Sequence, residues 1–172
     1  MKKNLWIILG VVFGIALLVG LWYMATYNSL VRLNEDVNGK WAQVETQYQR
    51  RVDLIPNLVN TVKGAANFEQ ETLTQITNAR SQWQAATTQE QKVAAANQVE
   101  SSLARLLVVV ENYPQLKATQ NFLSLQDELA NTENKISVER GRYNDVVRNF
   151  NAKIKTFPAN LIAGSLGFEQ RS

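Results

Sequence analysis

Arg50-Arg51-Val52-Asp53-Leu54-Ile55-Pro56-Asn57-Leu58-Val59 interrupts what is otherwise one long amphipathic helix. Before it, Leu30, Leu33, Val37, Trp41, Val44 and Tyr48 recur every three or four residues and form one apolar stripe. After it, the stripe resumes with Leu58, Val59 and Val62. Pro56 removes a backbone donor, crowds the carbonyl four residues back and biases Ile55 away from helical geometry, so it is a kink or a stop. Charged and amide side chains gather at that weak point. Asp53 stands three residues from Arg50, where the two can pair along a helix, and Asn57 can bond a backbone group left open by the proline. The stretch therefore reads either as a self-capped kink or as a polar contact site built on Arg50, Arg51, Asp53, Pro56 and Asn57.

Composition narrows the chemistry. With 172 residues there is room for one domain and a short accessory element. Neither cysteine nor histidine is present, which removes disulfides, thiolate nucleophiles, Cys/His metal sites, imidazole bases and a lipid-attachment cysteine. Setting Lys2 and Lys3 aside from 18 basic residues leaves 16 against 15 acidic ones, too even a balance for a phosphate-binding face, so nucleic acid is not expected as a partner. Eight glycines and three prolines amid abundant Ala, Gln, Leu, Asn and Val point to an all-α protein.

Leu5 to Met24 contains no charged residue, and a helix of that length spans roughly the 30 Å hydrocarbon layer of a bilayer. A cleaved signal peptide is the competing reading, but its apolar region usually runs about 7–15 residues and ends in a small-x-small site. Here the stretch ends in Leu21-Trp22-Tyr23-Met24-Ala25-Thr26-Tyr27, whose aromatic residues suit a membrane–water boundary. The expectation is an uncleaved anchor. Lys2 and Lys3 orient it with a cytoplasmic N-terminus and the remaining residues outside.

Beyond the anchor the helical period continues from Ala25. Lys63-Gly64 resembles a helix ending, and Asn67 with Gln70 resembles a capping box. A second helix carries Leu73, Ile76, Ala79 and Trp83 inward and fades at Ala86-Thr87-Thr88. A third, from about Gln89 to Glu111, buries Val93, Ala96, Val99, Leu103, Leu106 and Val110. Tyr113 and Pro114 mark a turn, and a fourth helix carries Phe122, Leu125, Leu129, Ile136, Tyr143, Val146, Val147, Phe150 and Ile154 to a stop at Phe157 and Pro158. That last helix, ~40 residues and ~60 Å, needs a partner of its own length, which exists only if Pro56 kinks rather than ends the first. The fold expected is an N-terminal transmembrane helix continuing into an antiparallel four-helix bundle with two long and two shorter helices. Its parts are residues 1–4 in the cytoplasm, 5–25 as anchor, 26–158 as bundle and 159–172 as an apolar tail. The tail, Leu161 to Phe168, is expected at the bilayer surface or against a neighbouring subunit.

Three runs then resemble the LemA family of bacterial membrane proteins. They are the Arg50 to Val59 stretch with Val62-Lys63-Gly64, Asn112-Tyr113-Pro114-Gln115-Leu116-Lys117 with Gln120-Asn121-Phe122-Leu123, and Glu133-Asn134-Lys135-Ile136 leading to Arg142-Tyr143-Asn144-Asp145, Asn151 and Phe157-Pro158. Tyr27-Asn28-Ser29-Leu30-Val31 fits as well, and the resemblance covers about residues 1–168. It implies one N-terminal membrane helix, a helical bundle outside it, a bacterial inner-membrane location with the bundle periplasmic or otherwise extracytoplasmic, and no established activity. It also implies the company of envelope proteins, including membrane proteases. Two departures stand out. Ala65 and Phe68 replace an aromatic and a histidine frequent in relatives, and relatives tend to continue past Gly167-Phe168.

Paired carboxylates do not rescue an enzymatic reading. Glu35/Asp36, Glu69/Glu71 and Asp127/Glu128 diverge around helix surfaces, and no Asp-rich loop with a central glycine offers a cation site, so no metal or cofactor is expected. Arg140, Arg142 and Arg148 alternate with Glu139 and Asp145 as ordinary surface pairing. Tyr143, Asn144 and Asp145 border a long apolar seam and serve either internal packing or an interface, as does Phe168 in the tail. The leading expectation is a non-enzymatic, membrane-anchored scaffold or adaptor that self-associates and meets lipid through its anchor. The alternative is a small-molecule-binding bundle or weak hydrolase using Arg51, Asp53 and Asn57.

Overall fold

The computed structural model describes residues 2–64 and 68–171, with only the backbone described for Lys2, Lys3 and Leu5. The expected capping residue Asn67 lies outside the described residues. The elements are α1 (Lys2–Asp53), α2 (Ile55–Lys63), α3 (Gln70–Ala85), α4 (Gln89–Val110), α5 (Pro114–Lys117), α6 (Gln120–Lys155), α7 (Asn160–Ala163) and a 3-10 turn (Gly164–Leu166). The protein is all-α, with no strand among the described residues.

Pro56 does not end the first helix. Only Leu54 leaves the ladder, and it keeps right-handed helical angles (φ −76°, ψ −22°). Its N–H bonds back to the Arg51 carbonyl at 3.2 Å, and Leu58 N–H returns to the Leu54 carbonyl at 3.0 Å. Ile55, expected to be pushed out of helical geometry, is instead the first residue of α2, because a proline at the start of a helix lacks only a donor that has no partner there. Pro56→Ala is accordingly expected to change stability by no more than about 1 kcal/mol, read as a thermal midpoint moved by a few degrees.

Two compact units divide the chain, Ala42–Arg140 and Met1–Trp41 with Gly141–Ser172. In the first, α3 and α4 run antiparallel: Glu71 meets Arg105 at one end, and Trp83 meets Lys92 at the other. A capping box starts α4, with Thr88 accepting from Gln91 N–H while the Gln91 side chain accepts from Thr88 N–H. Glu69, not Asn67, is the residue preceding α3, and it accepts from the Thr72 hydroxyl at 2.8 Å. Trp83 is fully buried. Its indole N–H donates to Gln49 Oε1 at 2.9 Å, Tyr48 packs at 5.4 Å between ring centroids, and Lys92 Nζ lies 4.5 Å over the ring. The expected apolar positions of α3 are buried; in α4 all but Val93 are, and it is 43 % exposed at the edge of the stripe.

In the second unit, Trp41 packs edge-on against Tyr143 (5.5 Å), and Arg171 bonds both Asn34 and Asn151. Those contacts lie seven residues apart on α1 and eight on α6, so the two helices are antiparallel there. Past α6 the tail folds back on its own chain. Gly167 takes a left-handed conformation (φ 77°), Gly167 N–H bonds the Gly164 carbonyl and Phe168 N–H the Ala163 carbonyl. This is the glycine-terminated helix end that bends a chain back over its last turn. It delivers Phe168 against Tyr27 and Phe150, each 6.3 Å away.

Earlier residues of α1 make a different surface. The helix is long and apolar enough to cross a membrane, and none of its apolar window is buried. Trp6 and Phe13 are at least 70 % exposed. Helix α4 also has the length and composition, but it packs on α3 and carries Glu100 and Arg105.

Candidate functional site

Two features of the 42–140 unit concentrate polar groups: an ion cluster around the buried Arg51 and a cleft at the helix ends. The cluster centres on Arg51, whose position on α1 follows Val44 by seven residues and Tyr48 by three and so falls on the buried face. The guanidinium pairs with Glu100 of α4 at 3.0 Å and with Glu133 of α6. Arg140, seven residues or about two turns beyond Glu133, bonds the Tyr48 hydroxyl and acts on Glu100 through charge. Two cations and two carboxylates thus balance. Arg51 Nε remains without a partner among the described residues.

Burial raises the Glu100 carboxyl above its ordinary 4.5; Arg51 draws it down, but Glu133 pushes it up again. A raised folded-state value means that the group's contribution to stability is complete at acid pH and is lost as pH climbs through that value. Glu100→Gln, which stays neutral, is therefore expected to lack this loss. Its thermal midpoint relative to the native chain should rise as pH climbs above the ordinary 4.5.

The expected Arg51–Asp53–Asn57 cluster does not converge. Arg51 turns inward, while Arg50, Asp53 and Asn57 are exposed, because residues one or two apart on a helix point in different directions around it. Asp53 accepts from Gln49 Nε2 at 2.8 Å instead of pairing with Arg50, and thereby orients the amide that receives the Trp83 N–H. Ile55 and Leu58 fill the space beneath Pro56 with exposures of 1 % and 0 %. Arg140 is exposed, as expected of a surface arginine, and also bonds the Tyr48 hydroxyl.

A cleft of about 770 Å³ opens where α2 ends and α5 begins. It is lined by Thr61, Gly64, Asn112, Tyr113, Pro114 and Asn121, among others, with no charged side chain among the described lining residues. A shallower hollow shares Thr61 and Asn121 and adds Asn57, Asn60 and Ser124. Phe68 packs on Tyr113 at 5.0 Å between ring centroids. The cleft offers amides and hydroxyls that both donate and accept, beside one aromatic pair. It suits an uncharged partner surface.

In the other unit Tyr143 is buried against Trp41, and Asn144 and Asp145 are exposed, Asp145 pairing with Arg148. Phe157 is exposed, Pro158 is half-buried and Phe168 is seated on α1 and α6. Glu100, Glu133 and Arg140 were missed as members of a site. A charge standing in a buried stripe was their available signal. Among the described residues no group of acidic side chains could hold a metal ion.

The LemA family model matches residues 40–172, which include every residue of both polar features. The chain belongs to the LemA family. A protein LemA of Metamycoplasma hominis is 29 % identical over 145 residues, covering 84 % of this chain and 66 % of that protein. Magnetosome protein MamQ 2 of Paramagnetospirillum magneticum is 25 % identical over 170 residues, covering 84 % of this chain and 62 % of that one. Magnetosome protein MamQ of Magnetospirillum gryphiswaldense is 22 % identical with the same coverage. The matches thus take in just under two thirds of these relatives' lengths, and none of their names denotes an enzyme. Both runs that line the cleft, Thr61 to Gly64 and Asn112 to Asn121, lie within the matched residues.

Proposed function

We propose that the chain is a membrane-anchored, non-enzymatic scaffold or adaptor of the bacterial cell envelope. Residues 5–25 cross the inner membrane with the N-terminus in the cytoplasm, and the extracytoplasmic residues form an antiparallel four-helix bundle that self-associates. The observation that carries this reading is the wholly exposed apolar window of α1, set against α2, α3, α4 and α6, whose apolar positions are largely buried. Twenty residues of bare apolar helix exceed what a soluble surface tolerates and match a bilayer in length. The uncharged cleft beside Tyr113 is where another envelope protein, such as a membrane protease, would be gripped. Arg51 and its carboxylates are engaged with one another, which favours a structural over a catalytic role for them.

Light scattering of the full chain in mild detergent, beside a chain truncated after Ala159, tests self-association. A large uniform assembly supports the scaffold. A monodisperse monomer, in detergent and on cross-linking in intact membranes, overturns it. The alternative of small-molecule binding or weak hydrolysis at Arg51, Asp53 and Asn57 loses its basis with the dispersal of those residues. The cleft beside Tyr113 has the volume for such a ligand.

A further inference from the structure

Phe157 is 78 % exposed and is the one aromatic side chain outside α1 left exposed among the described residues. Its level along α1 follows from the antiparallel register. Asn34 and Asn151 share Arg171, so four residues further toward the tail Lys155 stands opposite Leu30, and Phe157 follows at about the level of Asn28. Asn28 lies four residues beyond Met24, about 6 Å along the axis. The polar layer on each side of a bilayer is about 5–8 Å thick. The returning chain confirms the level, since Phe168 rests on Tyr27. Between those points Ala159 and Ala163 bury themselves, which turns Leu161, two residues from each, outward at 66 % exposure. Lys153 and Lys155 are exposed in the last turn of α6 just above.

Resting on the membrane reading of α1, we propose that residues 153–168 form a lipid-contacting foot. Phe157 and Leu161 enter the interfacial layer of the membrane that α1 crosses, and Lys153 and Lys155 lie over anionic headgroups. An aromatic ring, an aliphatic side chain and flanking ammonium groups at that depth are what the interface takes up. Two apolar side chains are too small a patch for a stable contact between copies, which needs about 800 Å² per partner. The Gly167 bend and the Arg171–Asn151 bonds hold the foot in place, so it reaches lipid without ordering a loose tail.

The chain has no cysteine, so single labels are unambiguous. Spin labels at Leu161→Cys and Phe157→Cys, in the full chain in vesicles of phosphatidylcholine with a minority of phosphatidylglycerol, are read for collision with oxygen against an aqueous nickel chelate. Ile15→Cys serves as the deep reference and Val108→Cys as the aqueous one. The expected result is a severalfold oxygen preference at 157 and 161 over 108, short of that at 15, reduced when Lys153→Glu and Lys155→Glu are combined. A deep label at 15 with aqueous labels at 157 and 161 overturns the foot and leaves the anchor standing. Labels shielded from both reagents overturn it in favour of a contact between copies. An aqueous label at 15 overturns the membrane reading and the foot together.

Discussion

Trp83→Ala is expected to cost about 3–5 kcal/mol, the usual range for emptying a buried tryptophan site, and to lower the thermal midpoint by about 10 °C or more. The indole is completely buried, so its removal leaves a cavity between α3 and the Tyr48 ring. It also strands the Gln49 carbonyl oxygen, and Lys92 loses the ring face it covers while keeping Glu45 at 3.2 Å. Trp83→Phe separates these effects. Most of the volume remains, and the lost hydrogen bond should cost about 1 kcal/mol. Circular dichroism melts of the detergent-solubilised chain measure both. Equal losses for the two variants would mean that the indole hydrogen bond, and not the filled volume, holds α3 to α1.

Arg51→Ala is expected to cost about 2–4 kcal/mol, toward the lower end of what breaking a buried ion pair usually costs. The carboxylates set that figure. Glu133, with 52 % of its side chain exposed, can turn to water, whereas Glu100 at 31 % is left partly buried beside a like charge. Adding Glu100→Gln to Arg51→Ala should therefore recover much of the loss, and adding Glu133→Gln should recover less. Strict additivity of Arg51→Ala and Glu100→Gln in a double-mutant cycle would show that the two groups do not interact. The cluster is weak as a source of stability, since apolar residues could fill the same space. Its stronger effect is to disfavour registers of α1, α4 and α6 that leave a charge unpaired.

The same cluster shows what could be read from the residues and what could not. Leu30, Val37, Val44 and Leu58 share one column of seven-residue spacing, and Arg51 occupies the place left in it. Along α6, Glu133 and Arg140 stand in the column that continues as Val147 and Ile154. Apolar periodicity therefore located the helices and most of the buried residues, and it also marked Arg51 as the charge in the interior and Glu133 and Arg140 as the charges that edge it. It could not say which carboxylate meets which guanidinium, because that depends on the axial offset between helices distant in sequence. Pro56 was ambiguous for a related reason: its local preference is for a break, and packing of Ile55, Leu58 and Val62 overrides it. The course of the tail was illegible because a single left-handed glycine, not composition, turns Phe168 back onto Tyr27 and Phe150. The cleft was illegible as such, since its two walls come from runs about fifty residues apart.

Helix α1 carries no joint between Met24 and Leu30. The azimuth of its outward-facing apolar side chains is therefore geared to that of its buried stripe, like two cams on one shaft. A residue inserted after Ala25 would turn one against the other by about 100°, and one of four residues would nearly restore the phase. Twist applied to the N-terminal turns reaches Leu30 undamped, since no flexible segment stands between them to absorb it.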